Sequence, residues 1–65
     1  MAGYRYQGVD GIRASDAKHI WNKGETVSTE IRGQTTHVVK VHKGTLYHCI
    51  RYEDKRLLVY RHGSA

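Results

Sequence analysis

The most constraining feature of this sequence is an alternation of apolar and polar residues that runs from Glu25 to His62. Short turn signals interrupt the alternation at Gly33-Gln34, at Lys43-Gly44 and at Glu53-Asp54-Lys55. A period of two indicates β-strands, and short turns join antiparallel neighbours. The pattern therefore predicts an antiparallel meander whose strands lie at about residues 25–32, 35–42, 45–52 and 56–62.

One short helix is expected before the meander, at about residues 15–23. Ser15 is a good N-cap, and Gly24 lies where a glycine commonly ends a helix. The apolar residues of the segment form one stripe at positions i, i+3 and i+4: Ala17, Ile20 and Trp21. A short strand is also predicted at about residues 4–9. Because a helix of this length is unstable alone in water, it must pack on the sheet.

The chain is long enough for a single small domain, residues 1–65, with a thin core. The helix and the meander together predict an α+β fold. Apolar residues fall on both sides of the meander, so its sheet is closed into a barrel, covered on both faces or shared between subunits. We expect a small barrel or a two-layer sheet, and a homodimer or small homo-oligomer.

The turn at Lys43-Gly44 sets the most definite register, because a two-residue loop pairs His42 with Thr45 and fixes every pair beyond them. Side chains alternate across a sheet, so these two strands have two faces. The first face carries His37, Val39, Val41, Leu46, His48, Ile50 and Tyr52. The second face carries Val38, Lys40, His42, Thr45, Tyr47, Cys49 and Arg51. We expect the more apolar first face to receive the helix and the second to form a basic and aromatic surface.

The register of the last strand depends on the length of the turn before it. If the turn is Glu53-Asp54, Leu57 joins the first face; if the turn also includes Lys55, Leu58 joins that face instead. The shorter turn would place two arginines directly opposite each other, which is unfavourable. The sequence therefore favours the longer turn.

The charge of the chain indicates its class of partner. Eleven Lys and Arg against six Asp and Glu give a formal charge of +5, which favours nucleic acid or an acidic protein surface. Lys and Arg contact phosphates, and aromatic side chains beside them stack on unpaired bases. We predict a small non-enzymatic protein that binds RNA or DNA through a basic and aromatic sheet surface. The candidate interface residues are Lys40, His42, Lys43, Tyr47, Arg51, Tyr60 and Arg61.

A second interpretation is a small inhibitor or regulatory module that docks on an acidic surface of a larger protein. It would use the same basic residues for steering, with Trp21 as an aromatic anchor at the interface. In so small a chain, however, the favoured role of Trp21 is to hold the helix on the sheet as part of the core.

Five histidines and one cysteine are residue types that can bind a metal ion or, in the case of cysteine, act as a catalytic nucleophile. His48 and Cys49 are neighbours on a predicted strand, so they point to opposite faces. The His and Cys spacings do not match those of a structural zinc site, and no phosphate-loop, dinucleotide or metal-hydrolase motif occurs. We expect no catalytic residues, no metal and no cofactor.

Membrane and export signals are not evident. No segment approaches the roughly 18 apolar residues of a membrane span, and the first residues lack an apolar signal-peptide core. The single cysteine cannot form an internal disulfide, which is typical of a reducing compartment. The sequence therefore predicts a cytoplasmic protein that does not bind membranes.

The segment LVYRHG, from Leu58 to Gly63, resembles the Tyr-Lys-His-Ala signature of the Hfq family of Sm-like RNA-binding proteins. The order of a helix followed by a meander is also similar to the fold of that family. The resemblance is limited to these few residues. It implies RNA binding and a ring-shaped oligomer, and it points to Tyr60, Arg61 and His62 as residues to test.

Overall fold

The computed structural model describes residues 3–64, which form one helix and five strands. These elements are β1 (Arg5–Gly8), α1 (Ala14–Lys23), β2 (Glu25–Arg32), β3 (Thr35–His42), β4 (Thr45–Arg51) and β5 (Arg56–Ser64). Each lies within two residues of its predicted bounds. The α+β class and the short N-terminal strand are therefore confirmed.

All five strands belong to one sheet, in the order β1-β5-β4-β3-β2. From β2 to β5 each strand is antiparallel to the next, as the meander predicts. β1 makes the sheet mixed, because it pairs parallel to β5 with Tyr6 opposite Leu57. Since β1 and β2 lie at opposite edges, the chain between them crosses one face of the sheet. Among the described strands β1 and β2 remain edges, so the fold is two layers and not a closed barrel.

The β3–β4 turn has the backbone that its sequence predicts. Lys43 and Gly44 have φ angles of 52° and 76°, and two consecutive positive values are typical of the two-residue hairpin turn. Val39 lies opposite His48 in the resulting register. The assignment of the β3 and β4 residues to two faces is therefore confirmed.

The longer β4–β5 turn is also confirmed. Lys55 lies in the turn with a φ of 73°, and Ile50 lies opposite Leu58. Beside the turn, the Tyr52 N–H donates to the Arg56 carbonyl at 2.9 Å. The Arg56 guanidinium carbon also lies 4.5 Å from the centroid of the Tyr52 ring. The first face therefore continues onto β5 through Leu58 and Tyr60, and the second through Leu57 and Val59.

The helix packs on the second face, so the prediction that it packs on the first was wrong. The core cluster consists of Ala17, Ile20, Val38, Cys49, Leu57 and Val59. Strand β1 accounts for the reversal, because Tyr4 and Tyr6 pack against this core whereas Arg5 and Gln7 point to the first face. The apolar residues of β3 and β4 alone favour the first face, because they do not include the tyrosines that β1 adds to the second.

The helix begins one residue earlier than predicted. Its N-cap is Arg13, which makes no side-chain cap hydrogen bond, so the prediction of Ser15 as the N-cap was wrong. Instead, the Arg13 Nε lies 3.3 Å from the Asp16 carboxylate in the first turn. Such an ion pair, one turn apart on a helix, stabilises it weakly.

Gly24 ends the helix, as the sequence predicts, but without the left-handed backbone of many glycine C-caps. Its φ is −68°, and its N–H donates to the Ile20 carbonyl at 2.9 Å. A Cβ at this position would lie 2.5 Å from that carbonyl oxygen and 3.2 Å from the Lys40 Cβ. Glycine is needed here because the end of the helix passes close to β3.

Strand β2 is an exposed edge. Ile31 lies opposite Thr36 on the second face, and Val27 is the extra residue of a bulge. These side chains are 76% and 56% exposed. The helix does not extend far enough to cover this edge of the sheet.

Candidate nucleic-acid interface

An open cleft of about 530 Å³ lies between α1 and the β3–β4 turn, on the side of the sheet that carries the helix. We call it the cationic cleft. Its polar lining residues are Asp16, His19, Lys23, His42, Lys43, Tyr47 and Arg61. The volume is within the range of ligand-binding pockets, about 300 to 1,000 Å³.

The helix forms one wall of the cationic cleft through a single face. Asp16, His19, Ile20 and Lys23 are spaced i, i+3, i+4 and i+7, so they lie in one row. Ile20 is buried in the core, and its packing turns the exposed His19 and Lys23 towards the cleft. Sequence reasoning missed both of these residues. Their spacing from Ile20 would have identified them once the second face was known to carry the helix.

The sheet forms the opposite wall. Tyr47 lies opposite Arg61 across β4 and β5, next to a bulge in which His62 is the extra residue. His42 ends β3, and Lys43 lies in the following turn. Tyr47 is half-buried and packs against the core, whereas Arg61 is exposed. A fixed aromatic ring therefore lies beside free cationic side chains.

The charge of the cleft is not neutralised within the described residues. Its cations Lys23, Lys43 and Arg61 take part in none of the ion pairs between residues 3 and 64, which use other arginines: Arg5, Arg13, Arg32 and Arg56. The one acidic lining residue, Asp16, is paired with Arg13. The cleft therefore presents three cationic side chains to an anion.

Lys40 lies under the helix and not on an open surface. It is 8% exposed, and its Nζ donates to the Thr26 Oγ1 at 3.0 Å and to the Gly24 carbonyl at 3.4 Å. The ammonium also lies 4.9 Å from the centroid of the Trp21 ring. These contacts use the charge within the fold, so the expected placement of Lys40 on a basic surface was wrong.

Two further candidate residues lie away from the cleft. Arg51 is exposed at the end of β4, where its guanidinium donates to the Tyr4 hydroxyl at 3.3 Å. Tyr60 is on the first face, stacked on His48 with ring centroids 5.0 Å apart. The structure therefore brings together four of the seven predicted residues: His42, Lys43, Tyr47 and Arg61.

Trp21 has a packing role in the fold. It is partly buried against the core cluster, and its ring meets that of Tyr4 edge to face at 5.8 Å. Together with the Lys40 ammonium, these contacts fix the helix on β3 and on the residue that precedes β1. This position is the one expected for a core anchor.

The first face carries a histidine cluster that the sequence only partly indicates. The His37 Nδ1 and the His48 Nε2 are 2.9 Å apart, and the ring of His62 lies 6.0 Å from that of His48. Burial, followed by the nearby charges of His37, His62 and Arg32, lowers the pKa of His48. In residues 3–64 no group of three or more His, Cys, Asp or Glu is arranged to hold a metal ion.

Cys49 is fully buried on the second face. Burial raises the pKa of its thiol to about 11, although the Lys40 charge opposes the shift. The thiol is therefore protonated at neutral pH. A buried, protonated thiol lacks the thiolate that a cysteine nucleophile requires.

Comparisons with known proteins found no family model, no curated protein and no solved structure that matches this chain. The resemblance of residues 58–63 to the Hfq family therefore remains limited to the residues that carry it. In the described part of the chain, no helix has the length and apolar character needed to cross a membrane.

Proposed function

We propose that this chain is a non-enzymatic nucleic-acid-binding module that holds single-stranded RNA or DNA in the cationic cleft. The observation that carries the proposal is the absence of ion-pair partners, within residues 3–64, for Lys23, Lys43 and Arg61. Unpaired cations around a concave site attract a phosphate backbone. We further propose that the protein acts in the cytoplasm.

The chemistry of the walls favours a single strand over a duplex. Tyr47 offers a fixed ring between the cations, and unpaired bases stack on such rings. The cleft is bounded by a helix and a turn, so it suits a flexible strand better than a stiff duplex. In this proposal Lys23, Lys43 and Arg61 contact phosphates, and His19 and His42 donate hydrogen bonds at the rim.

Salt dependence provides the first test. Three neutralised phosphates on a single strand should give a slope of log affinity against log salt of about −2. Fluorescence anisotropy with labelled oligo-U, oligo-dT and a duplex of equal length would measure it. A flat response to salt, or no binding to any of the three at low salt, would contradict the proposal.

Matched charge variants locate the site. The double variant Lys23→Gln, Lys43→Gln should reduce the slope to about −0.7, because one phosphate contact remains. The control Lys18→Gln, Lys55→Gln removes the same charge from exposed positions outside the cleft lining. Equal losses in the two double variants would mean that net charge, and not the cleft, determines binding.

The same variants test the alternative partner, an acidic surface of a larger protein. Poly-glutamate offers negative charge without bases, so it serves as the competing probe. If poly-glutamate binds as tightly as oligo-U and the cleft variants weaken both equally, the cleft recognises acidic protein and the nucleic-acid proposal fails.

A further inference from the structure

The first face of the sheet has no covering layer in the described structure. Helix α1 packs on the second face, and its main contacts in the sheet are with β1 and β3. The uncovered centre of the first face is apolar apart from its histidines: Val39, Val41, Leu46, Ile50, Leu58 and Tyr60. Each of these side chains is half-buried by its neighbours. An apolar surface of this kind is typical of an interaction site.

The charges of the first face differ from those of the rest of this basic chain. No lysine lies on it within residues 3–64, and three arginines lie at one end. The Arg32 guanidinium is 3.0 Å from the Glu30 carboxylate, and Arg56 and Arg5 are 2.8 Å and 3.6 Å from the Asp54 carboxylate. Two chains of charge +5 can therefore meet here with less repulsion than at the cationic cleft. Interface centres are likewise depleted of lysine and enriched in aromatic residues.

The size of the face also suits a second copy. Five strands spaced about 4.8 Å apart, seven to eight residues long at the centre, cover roughly 20 Å by 25 Å in projection. Because side chains project from the sheet, the accessible area of such a patch exceeds its projected area and approaches the roughly 800 Å² per partner of a standard interface. Two such faces can pack as layers, because stacked sheets lie about 10 Å apart.

The histidines make this contact dependent on protonation. At 2.9 Å the His37 Nδ1 and the His48 Nε2 share a hydrogen bond in which one ring must accept, so at least one of the two is neutral. The groups that face the His37–His48 pair are Tyr60 and His62 from β5 and Arg32 from the β2 edge, with Glu30 of β2 opposite His37. Two protonated rings would lose the shared hydrogen bond and place like charges together. A covering layer would favour the neutral forms further, because burial disfavours charge.

We propose that the first face docks a second copy of this chain, and that protonation of its histidine cluster releases that copy. The association joins two apolar, lysine-free surfaces and leaves the cationic cleft of each copy on the outside. It is independent of nucleic acid, so it can be tested on the nuclease-treated protein alone.

Sedimentation velocity over a concentration series tests the docking. Near pH 8 the mass should rise from 7.5 kDa towards twice that value. Val39→Lys, in the centre of the face, should raise the dissociation constant about tenfold or more, because it buries a charge without a partner. Ile31→Lys adds the same charge at a side chain that is 76% exposed on the second face, and it should change the constant less than about twofold.

Three results would overturn the docking. The first is a monomer at every concentration near pH 8. The second is a loss of association in Ile31→Lys but not in Val39→Lys, which would place the contact at the β2 edge. The third is a folded variant on the first face that still associates normally. If circular dichroism shows that Val39→Lys does not fold, Tyr60→Arg replaces it as the variant on this face.

Release of the second copy is tested by sedimentation velocity near pH 5, where free histidine is largely protonated. The native protein should dissociate, whereas His48→Gln should remain associated because its side chain stays neutral. A native dimer that is equally stable near pH 5 and pH 8 would overturn release by protonation.

Discussion

The two faces of one sheet use their polar residues in opposite ways. On the second face Lys40 is buried and satisfied by Thr26 and Gly24, and the charges that remain free lie at the rim, in the cationic cleft. On the first face the arginines at the end are paired with carboxylates and the centre holds a hydrogen-bonded pair of histidines. The placement and pairing of charge, more than its amount, therefore distinguish the surface proposed for an anion from the surface proposed for another protein.

The largest difference between the faces is expected in stability. Leu57→Ala removes a side chain that is fully buried on the second face, and should lower the free energy of unfolding by about 3 kcal/mol. Leu58→Ala, one residue along but on the half-buried first face, should lower it by only about 1 kcal/mol. Urea denaturation at low protein concentration would measure both. Equal losses would show that the first face is as well covered as the second.

A smaller difference is expected between the two tyrosines. Tyr47→Leu keeps an apolar side chain against the core but removes the ring from the cleft. Single-strand affinity should fall about tenfold, because stacking contributes about 1 to 3 kcal/mol per base. Tyr60→Leu, on the first face, should leave that affinity nearly unchanged. The stacking role of Tyr47 is contradicted if the two variants have the same single-strand affinity. It is also contradicted if Tyr47→Leu weakens duplex binding as much as single-strand binding.

The buried and free lysines give a finer comparison. Lys43→Gln should reduce the salt slope of single-strand binding by about 0.7, the value of one phosphate contact. Lys40→Met keeps the length of the side chain under the helix and should leave the slope unchanged, because the Lys40 ammonium already has partners within the fold. Anisotropy titrations at several salt concentrations would separate them. A reduced slope in Lys40→Met would show that its charge reaches the ligand.

The smallest effect concerns pH and the stability of the single chain. The pKa of His48 is lowered in the folded state, mainly by burial, so the unfolded chain binds a proton more readily. The free energy of unfolding should therefore be greatest above the ordinary histidine pKa of about 6.5 and decrease as the pH falls below it. Urea denaturation between about pH 8 and pH 5 would measure this trend.

Variants at two histidines would assign that trend to the first face. His48→Gln should flatten the dependence on pH, whereas His19→Gln, on the exposed face of the helix, should leave it in place. If His48→Gln retains the full dependence, other groups are responsible for it.

Local pattern was sufficient for the elements and most of the register. Alternation, turn residues and one helical stripe predicted the helix and the strands within two residues, and the Lys43-Gly44 turn fixed which residues of β3 and β4 share a face. The repulsion between Arg51 and Arg56 selected the correct β4–β5 turn. The element bounds and the register depend on residues that are neighbours in sequence or across one tight turn, so they can be predicted from one pair of strands at a time.

The side of the sheet that the helix covers was decided only in the tertiary structure. That choice depends on β1, which pairs with the last strand of the chain and brings Tyr4 and Tyr6 to the second face. It buried Lys40 and added His19 and Lys23 to the candidate site. Alternation is local, so the residue pattern was enough to show which residues share a face. Burial is a sum over the whole chain, so only the packing of all the elements selects the face that is covered.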